Sequence, residues 1–237
     1  MKKSNFLKAF FGLTIIASFF VGCKDKDTTP PQIFLKGGNP LNWVLNRTYV
    51  DSGATAEDNV DGNISSSITV DASLLNVNLA GSYIVTYKVK DSEGNITTKD
   101  RTVKVYNEAS KYVLEYDVVR TQQFGSQTPI SYTTKAITAS TTINRRLDFT
   151  NFSNLKLKAY CMVYGDNLDS ILIPNQKDTL HSGGTPDVIT VYNFYGAPGN
   201  SYITFPNGKK AIRLKYNFVP VVPAGTANVV TEDFLSN

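Results

Sequence analysis

The run from Tyr83 to Lys90 limits the possible folds more than any other stretch of this chain. Tyr83, Val85, Tyr87 and Val89 alternate with Ile84, Thr86, Lys88 and Lys90, a period of two that fits a strand with one apolar face. Asp91-Ser92-Glu93-Gly94-Asn95 follows as a turn, and Ile96 to Tyr106 returns with Val103 and Val105 on the inner face. Shorter extended segments surround this hairpin: Gln32 to Leu35, Asn42 to Leu45 and Ile68 to Val70. About seven short strands within roughly ninety residues predict a β-sandwich over 32–106.

Asn107 to Ser110 form a polar join, and extended segments resume beyond it. They run Tyr112 to Val119, Ile130 to Thr138, Thr141 to Phe149, Leu155 to Tyr164, Ser170 to Ile173, Val188 to Tyr195, Tyr202 to Phe205 and Ala211 to Val219. Gly165-Asp166-Asn167, Gly183-Gly184, Pro198-Gly199-Asn200 and Pro206-Asn207-Gly208 punctuate them as turns. These strands predict a second antiparallel β domain over 111–237, either a small barrel or another sandwich. No helix of normal length is visible, so the expected class is all-β. With 41% hydrophobic residues in 237, the chain has enough apolar side chains for two cores of ordinary size.

The first 22 residues have a different character. Lys2, Lys3 and Lys8 precede an apolar run that ends Phe19-Phe20-Val21-Gly22-Cys23, the layout of a secretory signal peptide. With Gly22 small and Cys23 following, the segment resembles the lipoprotein signal of bacteria, although Phe20 stands where such signals usually carry Leu. The resemblance implies cleavage before Cys23 and lipidation of that cysteine. Residues 23–31 then form a polar tether ending in Pro30-Pro31. An apolar run of about ten residues is too short to span a bilayer, so attachment is expected through lipid. Lys24-Asp25-Lys26-Asp27 resembles the surface-export tag of some Gram-negative lipoproteins, which implies an outer-membrane protein facing outward.

Three of the lysines behind the net charge of +4 belong to the leader, so the remainder is close to neutral and carries no basic patch for nucleic acid. Lipidation of Cys23 would leave Cys161 with no partner in the chain. Cys161 shares a strand face with Leu155, Leu157 and Val163 and is expected to be a buried, inert thiol.

Three blocks carry a further resemblance: Asp27-Thr28-Thr29-Pro30-Pro31-Gln32-Ile33, the stretch Asp51 to Ile64 with its Glu57-Asp58-Asn59-Val60-Asp61-Gly62, and Gly81-Ser82-Tyr83 with Asp91 to Asn95. In order and spacing they are similar to the bacterial immunoglobulin-like domain related to hyalin repeats, found in surface lipoproteins, adhesins and some crystal toxins. That implies a spacer or interaction module and no catalytic activity. Ser170 to Gln176 with Ile212 to Tyr216 resembles the β-barrel domain of some secreted bacterial lipoproteins of unknown role.

Two clusters are candidates for chemistry. Glu57, Asp58, Asp61 and Asp91 lie at strand ends and could supply oxygen ligands to calcium, or could simply bond their own turns. Tyr192, Tyr195, Asn200 and Tyr202 surround Gly196 to Gly199 and could stack and hydrogen-bond a sugar, or could pack as strand aromatics do. Trp43 is expected to pack. His181 is the single histidine, and no nucleophile elbow, metalloprotease helix or phosphate loop is present, so an enzyme is not expected. A glycosidase would need two facing carboxylates that the sequence does not nominate. The expected role is cell adhesion or capture of a polysaccharide or protein. The rival is a structural accessory subunit of an outer-membrane complex without a soluble ligand.

Overall fold

The computed structural model describes residues 26–122, 128–134, 137–152, 156–181, 189–196, 201–204, 210–222 and 228–236. Cys23 lies outside this set. The chain is all-β: the only helical segments among the described residues are short 3-10 turns at Ser65–Ser67 and Glu108–Tyr112. Among the described residues no helix is long and apolar enough to cross a membrane.

Seven strands come first: β1 (Gln32–Leu35), β2 (Leu41–Val44), β3 (Ala54–Asp58), β4 (Gly62–Asn63), β5 (Thr69–Asp71), β6 (Gly81–Lys90) and β7 (Ile96–Tyr106). They form two sheets, β1-β3-β4 and β2-β7-β6-β5. The expected hairpin is present, in register from Gly81 opposite Val105 to Lys90 opposite Ile96. Val85, Tyr87 and Val89 are buried, as are Val103 and Val105, and they pack on Ile33 and Ala56 from the other sheet. Trp43, on β2, packs edge-on against Tyr49 with ring centroids 5.1 Å apart.

Alternation along β7 also sends Arg101 inward, where it is fully buried. Its guanidinium donates to the carbonyls of Lys36 (2.6 Å) and Gly53 (3.0 Å), lies 3.5 Å from Asp51 and sits 5.3 Å from the Tyr87 ring centre. Carbonyls of the chain between β1 and β3 are thereby tied to the hairpin sheet. Tyr87 donates its hydroxyl to the same Asp51 carboxylate.

The remaining strands are β8 (Tyr116–Gln122), β9 (Ile130–Thr134), β10 (Ile137–Ala139), β11 (Arg146–Phe152), β12 (Leu157–Tyr164), β13 (Ser170–Leu172), β14 (Gln176–His181), β15 (Ile189–Gly196), β16 (Tyr202–Thr204), β17 (Ala211–Val222) and β18 (Asn228–Ser236). All belong to one sheet, in the order β10-β11-β12-β13-β16-β17-β18-β8-β9, with β15 also on β17 and β14 on β15. The sheet curls over its own core. Phe152 of β11 packs against Tyr216 of β17 at 4.7 Å, and Phe149 of β11 lies 6.1 Å from Phe234 of β18, although these strands are several ladders apart. Among the described residues no ladder joins β9 to β10, so the sheet is curled without a closing seam between its ends.

Several strand assignments differ from the sequence expectation, among them the segment expected from Tyr112, which is a 3-10 turn up to Tyr112 and a strand only from Tyr116. The segment expected from Thr141 to Phe149 is a loop up to Arg145, whose φ of 64° no strand accommodates, and the strand begins at Arg146. Strand β14, Gln-Lys-Asp-Thr-Leu-His, has too few apolar residues to show a pattern. Strand β18 shows no clean alternation in sequence, because its inward row, Val230, Glu232 and Phe234, places a carboxylate in the core. Glu232 is fully buried, accepts the Tyr216 hydroxyl at 3.1 Å and lies 4.0 Å from buried Arg120.

The polar join is a clamp rather than a loose linker. Asn107 is buried, and its side-chain amide donates to the carbonyls of Ser140 (2.9 Å), Ile143 (3.0 Å) and Arg146 (3.2 Å). Glu108 meets Arg145 and Asn144, each at 2.8 Å. From the first sandwich, Asn46 donates to the carbonyl of Thr142, and the Ala80 N–H donates to that of Thr141. The 140–146 loop is thus gripped by three segments that precede it in the chain.

Candidate functional site

Strand β3 ends at Asp58, and the chain turns at once towards Gly62, whose φ of 69° a glycine tolerates without strain. The Asp58 Oδ1 accepts the N–H groups of Val60 and Asp61, both at 2.9 Å, and so holds this turn. The β6–β7 turn is built in the same way: Asp91 Oδ1 accepts from the Gly94 N–H (2.6 Å) and the Asn95 N–H (2.7 Å), and Oδ2 from the Asn95 side chain (2.7 Å). The local turn roles weighed for these acids are therefore real. They also bring Asp58 and Asp91 to the same end of the sandwich.

A third carboxylate joins them there. Asp27, in the segment expected to be a tether, offers an oxygen that lies with one from Asp58 and one from Asp91, all within 4.8 Å of one another. Its Oδ1 accepts from the Thr29 N–H (3.0 Å) and the Asn59 side chain (3.3 Å), and its carbonyl accepts from the Asn95 side chain (3.1 Å). The Oδ2 atoms of Asp27 and of Asp58 are buried and accept no hydrogen bond. Hydrogen bonding to the Thr29 N–H leads in holding the Asp27 carboxyl below its ordinary pKa. For Asp91 burial acts upward, but the Asn95 and Gly94 donors outweigh it and the pKa is again lowered.

Two of the four expected acids lie apart from this trio. Glu57 is exposed on the outward row of β3. Asp61 accepts from Ser92, at 2.7 Å from the N–H and 2.8 Å from the hydroxyl, and so laces the two turns together. Asp27 is not legible as a ligand in the sequence, because a polar run ahead of two prolines has the composition of a linker. Its signal was its place in the same three blocks of sequence that supplied Asp58 and Asp91.

At the other candidate site, Tyr192 and Tyr195 lie on β15 and Tyr202 on β16. Asn200 falls outside the described residues. Both strands flank the same edge of β17, with Tyr195 opposite Asn217, Tyr202 opposite Arg213 and Tyr192 opposite Pro220. Positions 213 and 217 belong to the outward row of β17, whose other row is the buried Ile212, Leu214 and Tyr216. The register thus sets Tyr195 and Tyr202 opposite residues of one outward row, and Tyr192 opposite a position of the other parity.

The comparisons agree with the first sandwich. Residues 33–105 match the family described as bacterial surface protein, Ig-like domain. The Ig-like domain therefore takes in β1 to β7 almost entirely, and the all-β second domain follows it. A search of curated proteins finds no match. Among solved structures, the chain is similar to a crystal structure of a lipoprotein from Bacteroides thetaiotaomicron, at 14% identity over 87% of this chain and 100% of that one, with a TM-score of 0.32. It is also similar to the CBM51-2 and INT domains of Clostridium perfringens ZmpB in complex with GlcNAc, at 16% identity, 87% of this chain, 48% of that one and a TM-score of 0.28. The same domains in a second structure give 16% identity, 85%, 47% and 0.26. The chain spans about half the length of the two ZmpB structures. Likeness this weak assigns neither a ligand nor a site.

Proposed function

We propose that this chain is a non-catalytic, lipid-anchored protein of the bacterial cell surface whose Ig-like domain carries the second β domain towards a polysaccharide or protein ligand. The observation that carries this reading is the match of residues 33–105 to a bacterial surface protein domain, a short polar segment downstream of a leader-like stretch followed by Cys23. The clamp around Asn107 and Glu108 supports the spacer role, because a stiff join transmits position from the anchor to the far domain. Tyr195 and Tyr202, opposite one outward row of β17, are the residues we would assign to ligand contact, with Tyr192 and Asn200 beside them.

The anchor is tested by labelling cells with a radioactive fatty acid and treating intact cells with protease. Cys23→Ala should abolish label incorporation, and the wild-type protein should be cleaved without cell lysis. Ligand capture is tested on a glycan array with the purified protein and its Tyr195→Ala/Tyr202→Ala variant. Binding that is saturable and lost in the variant supports a carbohydrate site at this edge. Absence of glycan binding transfers the proposal to a protein partner, to be sought by cross-linking on intact cells.

A further inference from the structure

Asp27, Asp58 and Asp91 come from three segments far apart in sequence, and each carboxylate is held in place by N–H groups of its own turn. Turn formation accounts for one oxygen of Asp27 and one of Asp58. It does not account for the second. Asp58 is only 9% exposed, and its Oδ2, like that of Asp27, is buried without a donor. A buried carboxylate oxygen normally finds a hydrogen bond or a cation. Among the described residues, no lysine or arginine pairs with any of the three.

What fits such a place is set by its donors. They are all oxygen, with no sulfur or imidazole nitrogen, which selects a hard cation over zinc or copper. Three carboxylates on irregular turns suit calcium, which accepts uneven sets of six to eight oxygens completed by carbonyls and water. Magnesium demands a near-ideal octahedron and keeps most of its own water.

We propose that Asp27, Asp58 and Asp91 bind a calcium ion that pins the segment before β1 to the end of the Ig-like domain. The ion would answer the two unpartnered oxygens and the mutual repulsion of three carboxylates at once. It would also set where the chain leaves the domain, so that calcium outside the cell governs how freely the domain swings on its leader-side segment. The site does not depend on what the second domain binds.

The test is calorimetric titration of the purified protein with calcium chloride and with magnesium chloride, together with thermal unfolding in calcium or in EDTA. Two variants are compared. Asp58→Asn keeps an oxygen for the Val60 and Asp61 N–H groups and puts a donor where Oδ2 lies. Asp27→Asn alters a residue outside every strand and leaves the core untouched. Calcium should raise the wild-type melting temperature, while Asp58→Asn should be at least as stable as wild type in EDTA and gain nothing from calcium. Both variants should weaken calcium binding tenfold or more, and calcium should slow tryptic cleavage after Lys26 in the wild type only. Equal melting in calcium and EDTA with no heat of binding overturns the proposal. Undiminished binding in both variants overturns it as well, and magnesium binding as tightly as calcium overturns the choice of ion.

Discussion

The side-chain Oδ1 of Asn107 accepts the N–H of Arg145 at 2.7 Å across 38 residues of sequence. The same oxygen accepts the Ala109 N–H at 2.9 Å and starts the 3-10 turn that leads into the second domain. One amide thus begins the connecting turn and fills the loop that this turn must meet.

Asn107→Ala would leave the carbonyls of Ser140, Ile143 and Arg146 without their shared donor in a site that water does not readily reach. We expect a loss of about 2–3 kcal/mol, the range for orphaned buried polar groups. Asn107→Asp keeps the acceptor but turns a carboxylate towards three carbonyl oxygens, and should cost at least as much. Urea denaturation of the three proteins measures this. A loss below about 0.5 kcal/mol, the level of an ordinary surface substitution, would mean that the clamp does not hold the join.

Glu108 gives the same interface a dependence on acid. The Arg145 hydrogen bond is the leading cause that holds its carboxyl below the ordinary value, against burial and with help from Asn144. A carboxyl with a lowered folded pKa contributes stability that is complete above its unfolded pKa and is lost as pH falls through the folded value. Wild type should therefore exceed Glu108→Gln in stability at neutral pH, and the gap should close in acid as pH falls through and below the ordinary glutamate range. Melting temperatures of both proteins across this window provide the check, and a gap that does not vary with pH would remove the ion pair from the account.

The alternation from Tyr83 to Val105 was enough to place the main hairpin and its inner face, because a period of two leaves few options for a strand half buried in a sandwich. It could not show that Arg101 belongs to that face. A charge on an inner row becomes legible only when the carbonyls of Lys36 and Gly53 and the Asp51 carboxylate are seen around it. Glu232 hid β18 for the same reason. At the acidic site, Asp58 and Asp91 could be nominated from turn composition, whereas Asp27 is recruited by tertiary contacts with Asn59 and Asn95. Pattern reveals what a segment does alone, and these residues act through segments distant in sequence.

Arg101 supplies a stability test of that distinction. Arg101→Met retains much of the apolar stem but removes the donors to Lys36 and Gly53 and the charge beside Asp51. Breaking a buried pair on one side costs about 3–5 kcal/mol, mostly through the groups left behind. Asp51 is 26% exposed and recovers some hydration, so the lower end of that range is expected. Adding Asp51→Asn should return part of the loss. A double-mutant cycle by chemical denaturation measures the coupling, which should be near zero if Arg101 acts only through its backbone carbonyl partners.

Cys161 reports on the second core. It is 1% exposed on β12, on the inward row with Leu157, Ala159 and Val163, and burial, assisted by the charge of Asp148, pushes its thiol pKa up to about 12. Only the thiolate reacts with disulfide reagents, so the native thiol is protected both by its protonation and by lack of access. Labelling in native buffer should then proceed only through opening of the sheet, while the chain in concentrated urea should label completely within the time the native chain stays unmodified. Because opening needs β12 to separate from β11 and β13, the labelling rate should rise in Phe152→Ala, which removes the ring packed on Tyr216 across the core. It should be unaffected by Asp58→Asn, which lies in the other domain. Rapid labelling of the folded wild type would show that this part of the curled sheet is open to solvent.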